Sequence, residues 1–332
     1  MDGLGEWPIF DSDESIETAW DLLTEAGLSD GLPPVPPTKD RLEAMLDGVS
    51  DPAIGQGLLP PLFGELTNAA VAYNCVLAGC GPGALPVVRT AARACADDCF
   101  NLLGLATTTG SPAVAAVVHG PIAETLGMNS DINCLGPGSR ANATLGRAIS
   151  LVLRNIAGMR AGTGDMATMG QPGKYGFCFA EGQDQTFAPF HVRRGLQAGD
   201  SAVTVLGVSG TAEVLPSVET ENWDTPGVIL DPVALAMRAA LVAGGGARKS
   251  DRGEQVLLLP PELASLIAKR DWGIKEIQAH LFESSDVVNS GPIAASPRDI
   301  HIIITGGLGT KMTVLPLWGG GTRAITRKVI AP

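Results

Sequence analysis

Short apolar runs at 113–118, 202–208, 255–259, 300–305 and 311–316, mostly Val- and Ile-rich and bounded by Gly or Pro, constrain this fold more than any other feature. Each is short for a helix and suits a buried strand. Helical patterns at 121–127, 140–158, 231–243, 261–270 and 274–284 alternate with them. Such alternation predicts an α/β or α+β chain with a mixed sheet. Residues 66–79 and 84–103 are Ala-rich and mostly apolar, so they read as helices covering the sheet, parted by the turn Cys80-Gly81-Pro82-Gly83.

Before that core, residues 14–27 read as an amphipathic helix capped by Ser15 or Asp13, with Ile16, Trp20, Leu22 and Leu23 facing inward. A Pro-rich connector over 31–38 follows, then a short helix over 39–47 capped by Thr38, then a loop-like stretch over 49–65. The Gly244-Gly245-Gly246 run and polar residues 247–253 form the best boundary. That gives a main α/β domain over 1–245 and a strand-helix-strand portion over 246–332, either separate or a continuation of the same domain. No internal repeat is visible.

The 332 residues allow one large domain or two ordinary ones, and 45% hydrophobic content supplies a core. The 42 Gly and 24 Pro suit tight turns and a loop-built active site. A net charge of −12 argues against a nucleic-acid or anionic-membrane surface. No apolar run reaches the roughly 18 residues of a membrane span, and the N-terminus lacks a signal-peptide pattern. The expected setting is cytoplasmic, with the six cysteines reduced. A homo-oligomer is expected from the apolar, Gly-rich composition.

Two signatures carry the polar chemistry. Gly136-Pro137-Gly138-Ser139-Arg140-Ala141-Asn142 opens a helix, where unpaired N–H groups and Arg140 would orient an anion, with Gly138 relaxing the turn. The alternative is a cap in a tight turn with Arg140 and Arg147 solvated. In the second, Lys174, Tyr175, Cys178 and Glu181 precede His191. If 175–180 is a strand, Lys174 and Cys178 share a face, and the cation would lower the thiol pKa. Cys178 with His191 forms either a nucleophile–base pair or a metal-ligand pair, against the ordinary reading of Cys178 as a buried, inert thiol. Thr108 lies in a hydroxyl-rich turn that binds an oxyanion or merely caps, and Lys311 follows a Gly-rich turn. Cys80 ends a helix, and His119 ends an apolar strand before Gly120-Pro121.

Several segments together resemble an uncharacterised family associated with UGSC (seleno)proteins. They are Asp30 to Thr38, Ala78-Gly79-Cys80, Gly120 to Ala123, Gly136 to Arg147, Pro172 to Glu181, His191 with Arg194-Gly195, and the tail from Gly306 to Arg327. The UGSC motif is absent. The resemblance therefore implies that selenothiol chemistry would come from a separate redox partner, and it brings no reaction of its own.

These readings converge on an enzyme acting on an anionic or carbonyl-containing small molecule, cleaving a carbon–heteroatom bond by lyase or hydrolase chemistry. Cys178, or a divalent metal held by Cys178 and His191 with Glu181 nearby, would do the covalent or Lewis-acid step. Lys174 and Tyr175 would stabilise charge or move a proton. Arg140, Asn142, Thr108, Gly138 and Lys311 would bind substrate. The alternatives are a substrate- or thiol-binding subunit serving that redox partner, and a homo-oligomeric scaffold.

Overall fold

The computed structural model describes residues 3–184, 186–216, 225–243, 253–284 and 293–330. The boundary expected at 244–253 lies outside them except for Gly253. In chain order the first elements are α1 (Ile16–Glu25), α2 (Lys39–Met45), β1 (Gly55–Leu59), β2 (Gly64–Thr67), α3 (Asn68–Ala78), α4 (Leu85–Cys95) and α5 (Leu102–Thr107). Next come β3 (Ala113–His119), α6 (Pro121–Thr125), α7 (Arg140–Asn155), β4 (Cys178–Ala180), α8 (Phe190–Arg193), β5 (Ala202–Val208) and β6 (Ala212–Val214). The chain closes with α9 (Pro226–Ala243), β7 (Gln255–Leu259), α10 (Pro261–Ala268), α11 (Ile274–Ser284), β8 (Ile300–Ile304), β9 (Met312–Pro316) and β10 (Ile325–Lys328).

Hydroxyl caps set the starts of the early helices. Ser15, Thr38, Thr67 and Ser139 accept N–H bonds at the heads of α1, α2, α3 and α7. On α1 the buried stripe is Ala19 and Leu23, while Ile16 and Leu22 stay exposed: the helix touches the body along one narrow i,i+4 line. The stretch 84–103 is broken, because Asp97 caps a 3-10 turn and Asn101 adopts a left-handed conformation (φ 52°) that stops continuation. Where a loop was expected over 49–65, β1 and β2 form an antiparallel ribbon. Its mostly exposed residues leave no apolar alternation to read.

The fold is α/β (or α+β), with two mixed four-stranded sheets ordered β10-β5-β3-β4 and β6-β9-β7-β8. Each has a central strand, β3 or β7, parallel to one neighbour (β4 or β8) and antiparallel to the other (β5 or β9). The fourth strands are exchanged. β6 follows β5 yet pairs with β9, and β10 follows β9 yet pairs with β5. One strand motif thus occurs twice, each half lending a strand to the other. The expected portion 246–332 is interlocked with what precedes it, since its β10 completes the first sheet.

The alternation of strand side chains separates three apolar layers. Val114, Ala116, Val118, Cys178, Ala180, Val203 and Val205 pack with the Ala-rich α3, α4 and α7. Leu257, Leu259, Ile302 and Val314 pack with α9, α10 and α11. Between the sheets lie Ala115, Val117, Phe179, Leu206, Val256, Leu258, Ile303 and Leu315. The result is helix, sheet, sheet, helix. Among the described residues no helix is long and apolar enough to cross a membrane.

Candidate functional site

The parallel pairing of β3 and β4 builds the site. Val118 faces Ala180 in register, and the Glu181 N–H donates to the Val118 carbonyl at 3.0 Å. One step further, at the carboxyl ends of both strands, His119 and Glu181 stand side by side. Both follow inward-facing residues by period two, Val117 and Phe179, so both enter the layer between the sheets. Ligand sites in sheets with parallel strands gather at these carboxyl ends.

His119 is fully buried, and its Nδ1 lies 2.7 Å from Glu181 Oε2. An ionised carboxylate only accepts, so Nδ1 carries the hydrogen of that bond. Nε2 of His119 lies 2.8 Å from Thr204 Oγ1, which continues to Thr326 Oγ1 at 2.8 Å. The other carboxylate oxygen of Glu181, Oε1, accepts the Phe190 N–H at 2.7 Å and so ties down the head of α8. That turn places His191 beside the pair, with Nδ1 3.9 Å from Glu181 Oε2. This distance is ionic contact and too long for a hydrogen bond. Neither ring nitrogen of His191 has a hydrogen-bond partner, although the side chain is only 2% exposed.

Burial pushes the Glu181 carboxyl up, but hydrogen bonding and charge from His119, the proximity of His191 and the Phe190 N–H outweigh it. They hold the group down at about 2. Nearby, Arg193 stacks over the Phe190 ring at 5.2 Å and donates to the Ile302 carbonyl. Burial lowers its pKa, against the Glu181 charge.

Glu181 and His191 line a cavity of about 510 Å³ whose other walls include Gly120, Glu124, Asp184 and Phe187. Among its described lining residues there is no Lys or Arg. The chamber therefore attracts cations and repels free anions. Ligand atoms of His119, Glu181 and His191 all lie within 4.8 Å of one another. Two imidazoles and one carboxylate form the donor set of many catalytic zinc and non-haem iron(II) sites. An unpartnered imidazole beside an ionised carboxylate fits a cation better than it fits a closed structural pair. With a cation on Nδ1, that nitrogen would give up its hydrogen and Nε2 would carry one instead, donated to Thr204 Oγ1 as the outer hydrogen bond that orients a ligating ring.

A second buried pair lies in the same layer. His301 Nε2 is 3.3 Å from Glu254 Oε1 without hydrogen-bond alignment. Arg323 approaches that carboxylate at 3.7 Å and Asp299 at 2.9 Å, and the Ala324 N–H donates to Glu254 Oε2 at 2.5 Å. Phe190 separates the two pairs, its ring centroid 5.9 Å from His119 and 5.3 Å from His301.

The expected catalytic set is divided. His191 and Glu181 meet, but Cys178 projects from the opposite face of β4 into the helix-covered core. Burial pushes its thiol pKa well up. The Cys178–His191 pairing, as nucleophile and base or as metal ligands, is thereby corrected: Cys178 stands an odd number of residues before Glu181, so the two face opposite sides of the sheet, and α8 brings His191 to the Glu181 side. The strand expected over 175–180 is only Cys178–Ala180, preceded by a 3-10 turn over Pro172–Lys174, so alternation does not reach Lys174. Lys174 grips Asp165 at 2.6 and 2.7 Å. With exposed Tyr175 it lines a different cavity of about 550 Å³ beside α7, shared with Asp30 and Arg154.

The expected substrate-binding residues do not converge either. Arg140 donates to the Gly79 carbonyl through Nε (3.3 Å) and Nη2 (3.0 Å). Buried Asn142 uses Oδ1 on the Asn129 N–H and the Ser139 hydroxyl, and Nδ2 on the Asn129 and Cys134 carbonyls. It pins a loop. Gly138 takes φ +126° in that loop. Thr108 accepts the Gly110 N–H in a turn after α5, and Lys311 pairs with Glu213 at 3.0 Å in the open.

No protein-family model matches the chain, and no curated protein gives a significant match. In the sequence His119 stands out only as the end of an apolar strand, outside the expected site, and Thr204 carries no signal. The available signal is that one short strand ends in His119 and another ends just before Glu181. Only their parallel pairing makes them neighbours.

Proposed function

We propose that this protein is a metal-dependent small-molecule enzyme, a lyase or hydrolase, whose divalent ion is held by His119, Glu181 and His191. One observation carries the reading: a buried His191 with both ring nitrogens unpartnered stands beside an ionised carboxylate at the wall of a cavity. A bound divalent ion would supply Lewis-acid polarisation of a carbonyl or an activated water.

The chain's own groups supply the rest. Glu181 and His191 face the cavity, while Thr204 fixes the orientation of His119. Phe187 lines the cavity, and buried Phe190 packs against the His119 ring. Of the two expected substrate classes, the acidic walls favour a neutral, carbonyl-bearing molecule over a free anion. The reading keeps the expected cytoplasmic setting, in which the free cysteines stay reduced.

Elemental analysis of purified protein tests it, beside divalent-ion titration followed by thermal denaturation. The expected result is stoichiometric zinc, iron or manganese in the wild type, lost in His191→Ala and Glu181→Gln. A wild type that neither carries such a metal nor gains thermal stability on titration overturns the reading.

A further inference from the structure

The residues singled out around the start of α7 serve a different place in the fold. Helix α3 ends in a Schellman motif. The Gly79 N–H donates to the Val76 carbonyl at 2.9 Å, and the Cys80 N–H donates to the Cys75 carbonyl at 3.0 Å. Gly79 takes the left-handed conformation this requires (φ +84°). The motif brings the side chains of its first and last residues together, commonly as an apolar contact. Here those residues are Cys75 and Cys80. A hydrogen bond of this length cannot leave their Cα atoms much beyond about 6.8 Å, the upper limit a disulfide spans.

The surroundings of the two thiols differ. Cys75 is fully buried, and Cys80 is partly exposed. Arg140 clamps the carbonyl of Gly79, immediately before Cys80, and among the described residues it makes no ion pair with a carboxylate. Arg147 also lies near, held by Asp30 at 2.8 and 2.9 Å. The Cys75 contact is the largest influence holding the Cys80 thiol below its ordinary value, with Thr144, Arg140 and Arg147 adding to it against burial. Burial holds Cys75 well up. One thiol is thus set to ionise and the other to stay protonated, the division of labour between an attacking and a resolving cysteine.

We infer that Cys80 is a nucleophilic thiol and Cys75 its resolving partner, forming a dithiol site that reduces small disulfides. The Cys80 thiolate attacks RS–SR, forming a Cys80–SR mixed disulfide and releasing RS⁻, which takes up the proton Cys80 gave up. The sulfur of Cys75 then attacks Cys80 Sγ, and the second RS⁻ leaves with the Cys75 proton. The sum converts one RS–SR and two thiols into a Cys75–Cys80 disulfide and two RSH. This site is independent of the metal site, since it lies on the helix-covered side of the first sheet.

Two measurements on the intact protein test it. Iodoacetamide labelling at neutral pH, resolved by peptide mass spectrometry, should modify Cys80 several-fold faster than Cys99, the exposed cysteine. Oxidised glutathione should give a Cys75–Cys80 cross-link in the wild type and a glutathione adduct retained on Cys80 in Cys75→Ser. Labelling of Cys99 ahead of Cys80 in the wild type overturns the proposal, as does glutathione captured on Cys99 with no Cys75–Cys80 cross-link. The wild-type arms decide the matter even where Cys75→Ser fails to fold.

Discussion

The layer between the sheets holds two buried His–Glu pairs, and only one has the makings of a reactive centre. His119–Glu181 has a third member, His191, whose ring nitrogens bond to nothing and whose neighbour is a cavity. His301–Glu254 has Arg323 as its third member, a fixed cation that already answers the carboxylate. The same two residue types therefore make a site with two free ring nitrogens at a cavity wall in one place; in the other, one ring nitrogen of His301 is also unpartnered, but the carboxylate is already shared with a cation. What decides the matter is the third group. A lone pair left unspent in a dry layer costs free energy unless something binds it.

Acid unfolding should separate the two carboxylates most. Glu181 is held at about 2 against an ordinary 4.5. A depressed carboxyl stabilises the fold above its unfolded value, and the contribution is lost as pH falls toward the folded value. For Glu181 the window runs from about 4.5 down to about 2 and amounts to about 3 kcal/mol. Glu254 is depressed as well: burial raises it, and His301, the Ala324 N–H and Arg323 lower it further than burial lifts it. Urea unfolding of chelated protein between pH 6 and 2.5 should lose more of its acid dependence in Glu181→Gln than in Glu254→Gln. Equal slopes in wild type and Glu181→Gln would show the carboxylate is not so held.

The histidines sharpen the contrast from the other side. His191→Phe fills a similar volume and removes two unpartnered polar atoms, so calorimetry should find stability unchanged or raised while metal is lost. His301→Phe removes the group that does most to hold Glu254 ionised, whereas Glu181 keeps His119 in His191→Phe; the His301 change should cost about 1–3 kcal/mol with metal content intact. Matching stability losses in the two variants would erase the distinction drawn between them.

Much of the architecture was legible because the strands carry their own signature. The runs at 202–208 and 255–259 are strands at those limits, and Thr38 caps its helix as its hydroxyl predicts. The exchange of β6 and β10 was not legible. β6 has three residues and β10 has four, neither markedly apolar, so their partners are set by packing and not by pattern. In the site, Glu181 and His191 drew notice as polar residues near an aromatic run. His119 did not join them, since strand pairing across a long connection leaves no mark in a single sequence. Cys178 fails as a site residue for a sharper reason: its neighbours along the chain are not its neighbours across the sheet. Arg140 and Asn142 were placed correctly at a helix start, but backbone carbonyls, which sequence does not display, consume their hydrogen bonds.

Thr204 offers a subtler cut. Thr204→Val keeps the shape of the strand and removes the hydroxyl 2.8 Å from His119 Nε2. Outer hydrogen bonds of this kind typically hold about 10–100-fold of metal affinity. Competition with a chromophoric chelator should show a loss of that size, with the chain still folded. Unchanged affinity would mean that His119 needs no orienting partner and that its Glu181 bond alone sets the ring.

Arg323 should give the smallest effect, and it bears most directly on why the second pair is closed. Its side chain is 43% exposed, so solvent screens its contacts with Glu254 and Asp299. Arg323→Ala should cost less than about 1 kcal/mol in urea unfolding, the range of exposed ion pairs. Removing the cation leaves His301 and Glu254 with two ligand atoms and no third, too few for the three protein ligands of a catalytic zinc site. Metal content should therefore stay at the wild-type level. A second equivalent of bound metal in Arg323→Ala would show that the arginine, and not the missing third ligand, keeps that pair from acting as the first one does.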